Sequence, residues 1–422
     1  MIPLDPADLA ATFTEVAARH DRCVWLDGGG SREWSGRRSI LGWLEPDDVS
    51  LTYDAARHQV TRHAGGRSAV VGDDVFAVLE AELADGPADA QWFGYLGYAA
   101  RPDLPARPAG PDGVPDAVWV RPSHLRLVDH PAAAGHPAPQ REEHPGDPVP
   151  AVYASAFARV QEHLHAGDTY EVNLTERIEV AADLDPAAAY LALRRLNPAP
   201  YAGFLQHRVP SATGWLLSSS PERYALITSA DGTRHLETKP IKGTLPRLAD
   251  PEADAVQRER LRTDPRFRAE NLMIVDLLRN DLSIVCEPGS VEVPELMAVE
   301  SYATVHQLVS TVRGRIRADS SSVAALRALF PAGSMTGAPK LRTMQIIDAV
   351  EATPRGAYAG AFGWIGADGR ADLGVVIRTL TSAEPGRWSI GTGGGITVLS
   401  DVASEYAEAR LKAERLLAVF DH

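Results

Sequence analysis

The chain has 422 residues, 45% of them hydrophobic, and a formal net charge of −14. That length and apolar fraction suffice for one large core or two ordinary ones, while the acidic balance argues against nucleic acid or an anionic membrane as the main partner, because both attract basic surfaces. Cys23 and Cys286 lie in unrelated contexts and offer no disulfide framework, the N-terminus lacks a basic start followed by an apolar stretch, and no window reaches the about 18 apolar residues of a membrane span, so a cytoplasmic protein is expected.

Residues 1 to about 98 mix helical and strand patterns and end in Trp92-Phe93-Gly94-Tyr95-Leu96-Gly97-Tyr98, whose alternating glycines and aromatics suit a tightly packed strand. No catalytic signature is found there. Twelve prolines between Pro102 and Pro150 mark connecting loops, interrupted by short strands around Val118 and from Leu125 to Val128; Pro131 to Pro150 reads as a mobile surface loop.

Tyr153, Phe157, Val160 and Leu164 then recur at helical spacing until Gly167-Asp168 stops the helix. From Tyr170 to Val180 the period is two, with Tyr170, Val172, Leu174, Ile178 and Val180 on one face and Glu171, Asn173, Thr175, Arg177 and Glu179 on the other. Further strands are predicted from Trp215 to Ser219, Tyr224 to Thr228 and Leu373 to Leu380, with helices near 268–284, 322–330, 338–350 and 401–420. Strands and helices do not alternate regularly, so the expected fold class is α+β, with large, mostly antiparallel sheets and surrounding helices.

The candidate chemistry centres on Lys242, a flexible amine in the loop Pro240-Ile241-Lys242-Gly243-Thr244, where proline and glycine fix a bend. Glu222, in Ser-Pro-Glu-Arg, either pairs with Arg223 or transfers protons. Glu270 opens an apolar run whose helix must be buried; it is either a first-turn glutamate favoured by the helix dipole or an inward carboxylate that needs a cation. Glu405, Glu408 and Lys412 share one helical face, as an exposed charge stripe or as ligands for a hard cation such as Mg²⁺.

Gly393, Gly394 and Gly395 mark a strand bend or a backbone surface that a carboxylate can approach. Arg378 and Lys340 are ordinary ion-pair members or partners for an anionic substrate. His306, in an apolar setting, is either a hydrogen-bonded core histidine or a catalytic group.

Eight segments, in order from about Ala151 to Leu417, resemble the chorismate-utilising enzyme family: GDTYEVNLTER, SSSPERY, ETKPIKGT, RAENLMIVDLLRND, PAGSMTGAPK, GAYAGAFGWIG, VVIRTL and GTGGGITVLSDVASEYAEARLKA. The resemblance implies the fold of anthranilate synthase component I. It implies a catalytic region over 151–422, intertwined with residues 1–150 as one globular unit in which the N-terminal part holds a possible regulatory pocket. It implies Mg²⁺ on Glu270 and Glu408 with Glu405 nearby, and chorismate held by Arg378, Tyr358, Gly393, Gly394, Gly395, Thr244 and Lys412. Thr336 and His306 would line the ring, and Glu222 would act as acid and base on the departing 4-hydroxyl.

In the family branch that resembles aminodeoxychorismate synthase component I, the lysine of PIKGT attacks carbon 2 of chorismate as the 4-hydroxyl leaves, and ammonia then displaces it at carbon 4, on the route to 4-aminobenzoate and folate. That requires a neutral amine, expected from cations and desolvation near Lys242. The alternatives within the resemblance are anthranilate or 2-amino-2-deoxyisochorismate formation, or a catalytically silent chorismate-binding subunit. Glu171 replaces the lysine with which isochorismate and salicylate synthases activate water, which ranks those activities lower. Phe267 replaces an acidic residue common three positions before the metal glutamate. Neither cysteine sits in a glutaminase-type turn, so ammonia is expected from a separate glutamine amidotransferase subunit.

Overall fold

The computed structural model describes residues 8–28, 38–110, 112–130, 148–302 and 305–421. Two antiparallel sheets face one another. A nine-stranded sheet runs in the order Gly337–Ala338, Glu171–Ala181, Arg387–Ile396, Thr379–Glu384, Gly214–Ser220, Tyr201–His207, Arg22–Asp27, Arg38–Trp43 and His124–Asp129. A twelve-stranded sheet includes Arg223–Ala230, Thr233–Lys239, Ile241–Pro246, Val305–Arg315, Ala371–Val375 and Gln91–Leu96. The α+β expectation with antiparallel sheets is met.

Apolar residues from both sheets, among them Val24, Phe93, Tyr95, Leu205, Leu216 and Phe362, form the layer between them. Helices Leu9–Arg19, Pro186–Leu196 and Val402–Leu417 cover the outer face of the smaller sheet with Phe13, Tyr190 and Leu416. Helices Val75–Asp85, Pro265–Val285 and Ser322–Leu329 cover the larger one with Phe76, Leu278 and Leu326. Strands from before residue 130 enter both sheets. Among the described residues no helix is long and apolar enough to cross a membrane. The loop expected from Pro131 to Pro150 lies, up to residue 147, outside the described residues.

The predicted helices appear as Ala151–His165, Pro265–Val285, Ser322–Leu329, Lys340–Val350 and Val402–Leu417. Helix Pro251–Thr263, too charged to show an apolar stripe, went unpredicted. One expected strand is corrected: Leu373 to Leu380 is two strands, Ala371–Val375 and Thr379–Glu384, which belong to different sheets. The chain changes sheet across Val376, Ile377 and Arg378, and Arg378 takes a left-handed conformation with φ of 51°.

Candidate active site

The site grows from two sheet crossings. The chain passes from the smaller to the larger sheet at Ser220-Pro221-Glu222 and returns at Val376-Ile377-Arg378. The crossings hold each other: Val375 N donates to Glu222 O and Ser219 N to Arg378 O, both at 3.0 Å. A left-handed, non-glycine residue is costly and persists where its surroundings over-determine it. Here Arg378 lies close enough to Tyr358 for the two to interact electrostatically, and its guanidinium donates no hydrogen bond to a described residue. Burial lowers the Arg378 pKa to about 10, against the opposing effect of Tyr358.

Glu222 does not pair with Arg223, which binds Glu237 and the Tyr201 hydroxyl. Its Oε1 instead accepts a 2.6 Å hydrogen bond from Ser334 Oγ, in the turn Gly333–Met335. Burial raises the Glu222 pKa to about 7, although Ser334 and nearby Lys242 favour the anion. A carboxyl poised there can give or take a proton at neutral pH.

Lys242 reaches the cluster through a strand irregularity. The pairing of Ile241–Pro246 with Val305–Arg315 shifts between Ile241 and Thr244. Gly243 between them has φ of 94°, and a Cβ there would stand 3.0 Å from Leu261 and 3.1 Å from Phe267. Glycine therefore permits the bulge that buries the neighbouring lysine. Phe267 packs under this loop with Leu245 and Leu261, which is what the residue at this unusual position does in the fold.

The Lys242 Nζ is paired with Glu171 Oε1, from strand Glu171–Ala181 of the other sheet. Burial disfavours the ammonium, but Glu171, Glu270 and Glu222 outweigh it and raise the lysine pKa. The protein's own charged side chains that act most strongly on Lys242 are carboxylates, which favour the ammonium, while desolvation acts in the expected direction. Gly395 makes room for the pair, since a Cβ there would lie 2.2 Å from Glu171 Oε1 and 3.2 Å from Lys242 Nζ.

Helix Pro265–Val285 starts five residues before Glu270, with Asp264 as its cap, so Glu270 is not a first-turn residue. Its carboxylate meets Arg266 Nε at 3.2 Å, and Arg266 Nη2 reaches Glu405 Oε1 at 3.0 Å. Glu408 Oε1 lies 2.9 Å from Lys412 Nζ, which also donates to Gly393 O at 2.9 Å. Among the described residues no three acidic, histidine or cysteine groups are already assembled as a metal site. The donor set nevertheless suits a hard cation: burial raises the Glu270 and Glu405 pKa values, and a guanidinium stands between their oxygens.

Four expected residues have side chains that are exposed or bonded to groups outside the cluster. His306 is buried between Asp254 Oδ1 at 3.1 Å and Ser301 Oγ at 2.8 Å, so it is the hydrogen-bonded core histidine and is not brought to the cluster. Strand alternation turns Gln307 to the opposite face, across from Thr244, with its Oε1 buried and unpartnered among the described residues. Thr244 itself is exposed. The Thr336 hydroxyl is spent on Ala332 O and Gly333 O within its own turn. Lys340 braces Asp281, Leu329 O and Pro331 O, away from the cluster.

Glu222, Lys242, Glu270, Tyr358, Arg378, Gly393, Gly394, Gly395, Glu405, Glu408 and Lys412 thus come together from both sheets, helix Pro265–Val285 and the C-terminal helix. Sequence reasoning missed Ser334 as the Glu222 partner, Arg266 between the carboxylates, and Glu171 as the Lys242 partner. Ser334 sat in the quoted PAGSMTGAPK segment, and Glu171 sat on the polar strand face.

The model of the chorismate binding enzyme family matches residues 125–418. The chain belongs to this family. It is similar to an aminodeoxychorismate synthase from Streptomyces pristinaespiralis, 41% identical over 97% of this chain and 63% of that protein. Aminodeoxychorismate synthase component 1 from Klebsiella aerogenes is 46% identical over 63% of this chain and 57% of its own length. The chain thus spans 63% of the length of the Streptomyces relative. Its fold matches the crystal structure of anthranilate synthase component I from Streptococcus pneumoniae, with TM-score 0.72 and 25% identity over 90% of this chain and 92% of that one.

Proposed function

We propose that this chain aminates carbon 4 of chorismate, as an aminodeoxychorismate synthase component that receives ammonia from a separate glutamine amidotransferase subunit in the cytoplasm. The product, 4-amino-4-deoxychorismate, would lead to 4-aminobenzoate and folate. The single observation that carries this reading is the buried Lys242 amine, held in the same cluster as a Glu222 carboxyl poised near neutrality. The printed names of the relatives support it.

In this reading Arg378, with Tyr358 beside it, binds one substrate carboxylate, a match to which the planar guanidinium is suited. Lys412 and the backbone at Gly393 to Gly395 belong to the same cluster. Glu270 and Glu408, with Glu405 nearby, would hold Mg²⁺, which supplies positive charge to a second substrate carboxylate. Lys242 attacks carbon 2, the ring electrons shift, and the carbon 4 hydroxyl leaves as water after taking the Glu222 proton. Ammonia then forms the carbon 4 bond, the lysine departs with the electron pair of its carbon 2 bond, and Glu222 recovers a proton from the new ammonium group.

The test is chromatography with mass detection of products from chorismate, Mg²⁺ and ammonium at about pH 8.5, a value that leaves part of the ammonium as free amine, with and without aminodeoxychorismate lyase. The expected outcome is 4-aminobenzoate only when the lyase is present. Anthranilate or 2-amino-2-deoxyisochorismate would place amination at carbon 2 and overturn the reading. Absence of any product, with ammonium or with a glutaminase partner, would point to a silent chorismate-binding subunit.

A further inference from the structure

Glu171 has no part in the reaction as described above, yet it is the group that touches the reacting amine. Its side chain is 1% exposed, one oxygen pairs with Lys242, and Oε2 has no hydrogen-bond partner among the described residues. Three elements fix it there. Thr169 Oγ1 donates to the Glu171 carbonyl at 3.0 Å, Ala338 pairs with it across the ladder, and Gly395 leaves the space its carboxylate fills.

A buried ion pair seldom repays its desolvation, and a carboxylate oxygen left without a donor makes the balance worse. A residue kept for packing alone would be neutral or fully hydrogen-bonded. The pair instead resembles a nucleophile with its activating base, in which the base lies within hydrogen-bond reach of the proton it must remove.

An ammonium has no lone pair, so Lys242 must lose a proton before it can form a bond to carbon. Glu222 is committed to Ser334 and, in the proposed reaction, delivers its proton to the leaving hydroxyl. Glu270 is engaged by Arg266. Glu171 is thus the carboxylate left to accept the lysine proton.

We propose that Glu171 is a catalytic residue: its carboxylate takes the proton of the Lys242 ammonium, freeing the amine to attack, and returns that proton when the lysine is expelled. The inference rests on the reading of Lys242 as nucleophile. The balance closes over the cycle. Ammonium and carboxylate become amine and carboxylic acid, and the amine electron pair forms the nitrogen–carbon 2 bond. When that bond breaks, the pair returns to nitrogen and the carboxylic acid restores the ammonium.

The test measures how fast the covalent Lys242 adduct forms after mixing with chorismate and Mg²⁺ without ammonia, by acid quench and intact-protein mass. Glu171→Gln keeps the shape and can still accept a hydrogen bond from Nζ, but cannot take the proton. Its adduct is expected to form on the order of 100- to 10,000-fold more slowly than in the wild type, with chorismate affinity by tryptophan fluorescence within about twofold, the range expected when ground-state binding is untouched. Glu171→Asp retains a carboxylate, set back by one methylene, and should fall between the two; it serves as the test if the glutamine variant does not fold.

Adduct formation by Glu171→Gln at the wild-type rate would overturn the proposal, as would equal slowing in Glu171→Asp and Glu171→Gln. Failure of the underlying reading looks different: the wild type itself would form no adduct on Lys242, or would yield a carbon 2 amine.

Discussion

Glu222 and Arg378 stand at two of the places where the chain changes sheet, and a pair of 3.0 Å backbone hydrogen bonds ties these two crossings together. The carboxyl proposed to transfer protons and the guanidinium proposed to bind substrate are thereby both placed where main-chain pairing ties the two sheets. Sheet ladders are rigid, so positions set this way are held more closely than those on loops.

The Glu222 pKa makes stability depend on pH. Its folded value of about 7 lies above the usual carboxylate range, so the folded state keeps a proton that the unfolded state releases first. The contribution is fully present below the unfolded pKa and is lost as pH rises through the folded one, by up to about 3 kcal/mol. Glu222→Gln removes this loss. Urea unfolding at pH 4.5 and 8 should show the variant gaining stability over wild type at the higher pH, and turnover should fall on the order of 100-fold or more.

Arg378→Lys keeps the charge but not the planar fork. Because the guanidinium has no hydrogen-bonded protein partner among the described residues, its replacement should leave the thermal midpoint nearly unchanged. Substrate affinity should weaken on the order of tenfold to a hundredfold, corresponding to about 1.5–3 kcal/mol for a charged hydrogen-bonding group. Equilibrium binding of chorismate measures the first effect, and thermal unfolding the second.

Gly395→Ala introduces a methyl 2.2 Å from Glu171 Oε1. The carboxylate must swing away from Lys242, which separates the pair without altering either member. A folded but poorly active enzyme is expected, with adduct formation more affected than chorismate binding. Circular dichroism and quenched-reaction mass measurements distinguish this from general unfolding.

His306→Ala separates core from catalysis. The imidazole joins Asp254 to Ser301 in a buried cluster, so its loss leaves unpaired polar groups and should destabilise by about 1–3 kcal/mol. The fraction that remains folded should turn over chorismate at close to the wild-type kcat. A loss of kcat by orders of magnitude in fully folded variant would return His306 to the active site.

Periodicity made most elements near the site legible: the alternation from Tyr170 to Val180 and the apolar run after Glu270 both became the expected strand and helix. It did not reveal where polar faces point. The Glu171 face looks like a solvated surface in the sequence, but a second sheet lies against it, and its partner Lys242 is 71 residues away. The same limit displaced His306, since a one-residue step along a strand reverses the face presented. The split between Ala371–Val375 and Thr379–Glu384 is hidden because Val376 and Ile377 continue an apolar run, and the crossing itself, Val376-Ile377-Arg378, holds no glycine or proline. Helix Pro265–Val285 begins before its apolar run because two arginines and a proline occupy its first turn, Pro265-Arg266-Phe267-Arg268; that hides Arg266 as the cation between Glu270 and Glu405.

The most direct test of the central claim is the mass of the Lys242 peptide after the enzyme is mixed with chorismate and Mg²⁺, quenched and digested. A gain equal to chorismate less one water, absent from Lys242→Ala and discharged to 4-amino-4-deoxychorismate by ammonium, is the predicted result. An unmodified Lys242 peptide throughout turnover, with amination undiminished in Lys242→Ala, would contradict it.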